Sequence, residues 1–174
     1  FLMINTKSRM KKGFTLIELL IVIAIIGTLA VILLVAINPV EQLAKTRDTG
    51  RISSVTQLGR AQDAYAVNNG SIYTPVGAAW ITALKTSGEV STDTMTAGTY
   101  ADGTTTPCSG GAQGGFCYKA TDATGTGPIL VYSKLEAKTN LSKCSGAEKP
   151  FMVYSSYDGR SGVVCTAGEP VVNA

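Results

Sequence analysis

From Leu19 to Ile37 the chain runs for 19 residues without a charged side chain, and only Gly27 and Thr28 interrupt its aliphatic sequence. At about 1.5 Å of rise per residue, a helix of that length spans roughly 28 Å, close to the hydrocarbon core of a bilayer. A buried core helix and the apolar part of a secretory signal are the competing readings. Signal cores are typically about 7–15 residues and end at a small-residue cleavage site in a polar stretch, and no such site follows here. A membrane anchor fits the run best. Lys7, Arg9, Lys11 and Lys12 precede it, and the first thirteen residues hold no acid. Basic flanks stay on the cytoplasmic side, so Val40 onward is expected outside.

This basic flank also explains the charge balance. The chain has 15 Lys and Arg against 12 Asp and Glu, a formal charge of +3. Without the first thirteen residues, eleven bases face twelve acids. The net basicity is therefore a topogenic signal rather than a nucleic-acid signature. The 174 residues hold no histidine. That removes the commonest general base, the Ser-His and Cys-His nucleophile pairs and most catalytic zinc sites. No catalytic constellation is evident, so the chain is expected not to be an enzyme, with no cofactor and no metal site.

Glu18 breaks the pattern of a plain anchor, because it lies inside the apolar segment between Ile17 and Leu19. Within a membrane span a carboxylate costs on the order of 2–3 kcal/mol, so it is usually paired or functional. Its surroundings are specific: Lys11-Lys12-Gly13-Phe14-Thr15-Leu16-Ile17-Glu18, then Leu19-Leu20-Ile21-Val22-Ile23-Ala24-Ile25-Ile26-Gly27. This stretch closely resembles the processing and anchor segment of type IV pilins and type II secretion pseudopilins. The resemblance implies that a membrane-embedded prepilin peptidase cuts after Gly13 and methylates the new amino terminus at Phe14. It also implies that the carboxylate of Glu18 neutralises the Phe14 amine of a neighbouring subunit during assembly. Residues 1–13 are then a leader. The sequence begins with Phe1, and Leu2, Met3 or Met10 are candidate starts.

Past the anchor, Asn38-Pro39 predicts a bend, because proline lacks the helix donor and clashes with the preceding turn. Gly27 is a candidate weak point of the anchor. Val40, Leu43, Ile52, Val55, Leu58, Ala61 and Tyr65 recur mostly at three- and four-residue spacing, predicting an amphipathic helix. Arg47, Asp48, Arg51, Arg60 and Asp63 are expected on its other faces. Asn68-Asn69-Gly70 is a stop signal, so one long, bent helix is expected from about Phe14 to Asn68. The segment from Ala64 to Pro75 is similar to the helix exit of many pilins. Trp80, Ile81 and Leu84 suggest a short helix, and Thr94 to Gly115 reads as loop. Phe116–Ala120, Ile129–Leu135, Phe151–Tyr157 and Gly162–Thr166 read as strands, with Asp158-Gly159 turning between the last two. The fold class is α+β: a long N-terminal helix, membrane-spanning in its first half, and a small C-terminal antiparallel sheet head, as the resemblance implies. The divisions are 1–13 leader, 14–38 anchor and filament core, 39–70 amphipathic helix and 71–174 globular head.

The four cysteines, Cys108, Cys117, Cys144 and Cys165, contain no CxxC pair. Zinc or thioredoxin-like chemistry is therefore disfavoured, and two disulfides are the default for an exported head. Of three connectivities, Cys108–Cys117 with Cys144–Cys165 is favoured. Asp122-Ala123-Thr124-Gly125-Thr126-Gly127 lacks the repeated acids of a calcium loop and the lysine of a P-loop, and reads as plain loop. Lys134, Lys138, Lys143 and Lys149 form a lightly basic stretch. Nucleic-acid binding there has no further support, and a solvated face is favoured. The leading expectation is a structural subunit of a homo-oligomeric pilus-like filament serving adhesion, motility or DNA uptake. Its partners would be the prepilin peptidase, an inner-membrane assembly platform and, before assembly, membrane lipid. A pseudopilin of a secretion system is the first alternative, and a signal-anchored monomeric surface domain is the second.

Overall fold

Helix α1, Leu16–Ile37, is apolar on every face beyond Glu18 in its first turn, and none of its residues is buried by the rest of the chain. A helix without a polar face needs an apolar surrounding on every side, which a bilayer or a bundle of like helices supplies. The computed structural model of the chain describes residues 13–77, 79–91, 99–102 and 115–172. Within them α1 is the one helix long and apolar enough to cross a membrane. The chain divides into two compact units at Pro39/Val40. The helix runs through Gly27 without interruption.

The expected single helix is two. Asn38 adopts the left-handed conformation, with φ 46° and ψ 75°, and caps α1. Helix α2 then begins at Pro39 and runs to Asn68. The residue before proline is barred from continuing a helix, asparagine tolerates left-handed φ, and proline is pre-shaped for a first helical position. Helix α2 stops where the sequence indicates: Gly70 and Ser71 both take positive φ. The amide of Ser71 turns back to the carbonyl of Ala66 at 2.8 Å.

The second unit is a sheet laid on α2. Its strands are β1 Thr99–Asp102, β2 Gly115–Ala120, β3 Ile129–Lys134, β4 Lys149–Ser155 and β5 Arg160–Thr166, ordered β1-β2-β3-β4-β5. The four strands from β2 to β5 pair antiparallel, which gives the α+β, pilin-like architecture. Two corrections apply. Strand β1 lies in the stretch read as loop and pairs parallel with β2, Tyr100 opposite Phe116. Strand β4 starts and ends two residues earlier than its aromatic run suggests. Helix α3, Trp80–Thr86, and the short α4, Lys138–Leu141, complete the unit.

Alternation along the strands separates two apolar layers. On the helix side, Val55, Leu58 and Ala61 of α2 meet Phe116, Tyr118, Val131, Met152 and Tyr154, with Trp80 and Leu84 from α3. Trp80 stacks on Tyr118 at 5.3 Å between ring centroids. A Cβ on Gly59 would fall 2.1 Å from the Tyr154 ring, so only glycine lets α2 lie this close to β4. On the opposite side Cys117, Leu130, Tyr132, Phe151 and Val153 form a second layer, against which Val172 packs. Lys119 and the Tyr132 hydroxyl both donate to Glu169, at 3.3 and 3.1 Å, which pins the C-terminal segment across that layer.

Candidate functional site: the segment from Gly13 to Glu18

Gly13, Phe14 and Thr15 are non-helical and exposed, and α1 starts immediately after them. The peptide bond between Gly13 and Phe14 therefore lies in irregular backbone ahead of the helix. Among the described residues nothing lies within 4 Å of where a Cβ on Gly13 would sit. The described residues place no steric demand for glycine at this position.

Thr15 and Glu18 close a reciprocal cap on α1. The amide and hydroxyl of Thr15 both donate to Oε2 of Glu18 at 2.9 Å, and the Glu18 amide donates to the Thr15 hydroxyl at 3.3 Å. The Thr-x-x-Glu spacing is the sequence signature of such a box, so Thr15 was legible as a site residue although attention falls on Glu18. Glu18 is thus held at the start of the helix, four residues after Phe14, by its own chain.

The structure joins Cys144 to Cys165, with Cα atoms 5.4 Å apart, tying β5 to the turn that precedes β4. Cys117 is also disulfide-bonded, whereas Cys108 lies outside the described residues. Cys117, Cys144 and Cys165 sit in the second unit.

A second cluster reverses the expectation from helical spacing. Asp48 and Arg51, expected on solvent-facing sides of α2, are almost wholly buried, while Val40 and Leu43 of the expected apolar stripe are exposed. The carboxylate of Asp48 accepts from Arg51 at 2.9 Å, from the amides of Glu136 and Ala137, and from Asn140 at 2.7 Å. Glu136 also receives Arg47 and stands 3.4 Å from Arg51. Burial is tolerated because every charge meets an opposite one. A buried amide network lies further along α2. Gln62 donates to the Thr74 hydroxyl at 2.7 Å and accepts from the Thr74 amide, and the Tyr118 hydroxyl donates to the Thr74 carbonyl at 2.6 Å. Burial pushes the Tyr118 phenol up to about 12, so it stays a donor.

The Asp122 loop is a self-contained turn. Thr124 and Thr126 donate side-chain and backbone hydrogen bonds to the Asp122 carboxylate, and they hold it well below the usual carboxylate range. Its oxygens are engaged within the loop, as a structural turn requires.

Comparison with known proteins agrees with the site geometry. Residues 8–34 match the family described as the prokaryotic N-terminal methylation motif. That motif is the signature of the type IV pilin and pseudopilin prepilin-type segment, and it supports a precursor of that kind. No curated protein matches the chain, and no solved structure does.

Proposed function

We propose that this protein is the structural subunit of a type IV pilus-like filament, cleaved after Gly13 and N-methylated at Phe14. The observation that carries the reading is the methylation motif over residues 8–34, lying on an exposed Gly13–Phe14 junction and an α1 with no buried residue. The basic residues before Gly13 stay cytoplasmic and the sheet-bearing head lies outside, so α1 anchors the subunit until assembly. On docking, Glu18 of one subunit meets the Phe14 amine of the next, and the α1 helices cover one another's apolar surfaces. The peptidase, the assembly platform and further copies of the chain are its partners, and its role is structural rather than catalytic. Service as a secretion pseudopilin uses the same N-terminal chemistry. The Cys144–Cys165 bridge suits a head outside the cytoplasm, in a surface filament and in a periplasmic one alike.

Replacing Gly13 tests the processing step. Since the fold leaves room for a side chain there, Gly13→Val is expected to leave the head folded and to trap a full-length, unmethylated precursor in the membrane. A variant shortened to Phe14 as efficiently as the parent, seen by gel mobility, would refute cleavage at this bond.

A further inference from the structure

We infer that the end of the head nearest the anchor, formed by the first turns of α2 and by α4, docks on the phospholipid headgroups of the bilayer before assembly. The inference rests on the membrane-anchor reading. Helix α1 has 22 residues, about 33 Å at 1.5 Å each, so it fills a hydrocarbon core of about 30 Å with little to spare. Val40 follows Ile37 by three residues, which can span at most about 11 Å. Whatever angle α2 takes, its first turn therefore lies at or beside the headgroup layer. Val40 and Leu43 are 72% and 59% exposed there.

Helix α4 is tied to the first turns of α2. The Lys138 amide donates to Glu41 at 3.0 Å, and Asn140 donates to Asp48 at 2.7 Å. This ties residues 138–141 to the base of α2, with Leu141 43% exposed and Lys138 exposed. Of the acids at this end, Asp48 and Glu136 pair with Arg51 and Arg47, and Glu41 accepts the Lys138 amide while keeping its charge, so the two lysines leave this end net positive. Among the described residues, Lys45 and Lys138 have no acidic partner. Three exposed apolar side chains flanked by two unpaired lysines match an interfacial surface. The apolar groups enter the boundary between headgroups and acyl chains, and the ammonium groups reach lipid phosphates. The partner is an anionic phospholipid surface. Docking would hold the head at a fixed height while the subunit waits in the membrane.

The test uses the full chain in vesicles of phosphatidylcholine and phosphatidylglycerol, with bromine placed either shallow or deep on the acyl chains. A tryptophan is introduced singly as Leu141→Trp, Ile26→Trp or Val67→Trp, and the emission of buried Trp80 is subtracted using the parent protein. The expected result is quenching of Leu141→Trp by shallow bromine, of Ile26→Trp by deep bromine, and of Val67→Trp by neither. Lys45→Gln and Lys138→Gln should each lower the docked-to-undocked ratio in anionic vesicles about fivefold. Quenching of Ile26→Trp without Leu141→Trp would overturn the docking while leaving the anchor intact. Equal quenching of Val67→Trp and Leu141→Trp would overturn it as non-specific adsorption. No quenching at Ile26→Trp would remove the anchor reading and the docking with it.

Discussion

Glu18→Ala is expected to abolish filament assembly while leaving membrane insertion, head folding and the Cys144–Cys165 bridge intact. The carboxylate stands at the start of an apolar helix, four residues after Phe14, whose amine the proposed cleavage would free. When one subunit enters the apolar interior of a filament, an unpaired amine or carboxylate there costs about 3–5 kcal/mol. A loss of that size at every added subunit stops growth. The cap on α1 complicates the substitution, because alanine also removes the acceptor for the Thr15 amide and hydroxyl. Losing a cap costs about 0.5–2 kcal/mol and frays a helix end. Glu18→Gln separates the two roles: its amide oxygen still accepts from Thr15, but it carries no charge. If charge pairing drives docking, glutamine assembles no better than alanine. If the cap alone matters, glutamine restores filaments, and pairing with Phe14 is wrong.

Asp48→Ala is expected to destabilise the head by about 3–5 kcal/mol, the usual cost of stranding a buried charge. It leaves Arg51 buried beside Glu136 alone and strips acceptors from the amides of Glu136 and Ala137 and from Asn140. The turn between β3 and α4 is then held to α2 only by the pairing of Glu136 with Arg47 and Arg51 and by the Lys138–Glu41 bond. Denaturant unfolding of the detergent-solubilised full chain measures the loss. Asp48→Asn is expected to fall between alanine and the parent, because it keeps one acceptor oxygen but no charge for Arg51. An unchanged midpoint in Asp48→Ala would mean that the cluster is incidental to stability. Neither substitution touches residues 13–18, so processing after Gly13 should proceed in both.

How far the sequence led depended on whether the determining interaction was local. The anchor was legible because length and absence of charge decide it. The end of α2 was legible at Asn68-Asn69-Gly70, and the four antiparallel strands were legible from their branched and aromatic runs. Strand β1 was hidden because Thr-Tyr-Ala-Asp sits in a Thr- and Gly-rich stretch, and its parallel pairing with β2 is a tertiary choice. Helix α2 misled for the same reason. Spacing assigned Val40 and Leu43 to the core, but among the described residues nothing buries them. Asp48 and Arg51 were assigned to solvent, yet their partners lie in the turn at 136–140, some 88 residues away. A helical wheel cannot show a partner from another element. The Thr15–Glu18 cap was local and readable from its spacing; it was overshadowed by the role assigned to Glu18 in assembly.

The central claim, that the chain is processed at Gly13–Phe14 and built into a surface filament, is tested most directly by intact-mass and N-terminal spectra. The protein is taken separately from sheared cell-surface material and from membranes. The account predicts chains beginning at N-methylated Phe14 in the sheared fraction, with a membrane pool of the same mass awaiting assembly. Folded, surface-located protein that still carries Lys11-Lys12-Gly13 would contradict it, and would mean that α1 is a simple anchor.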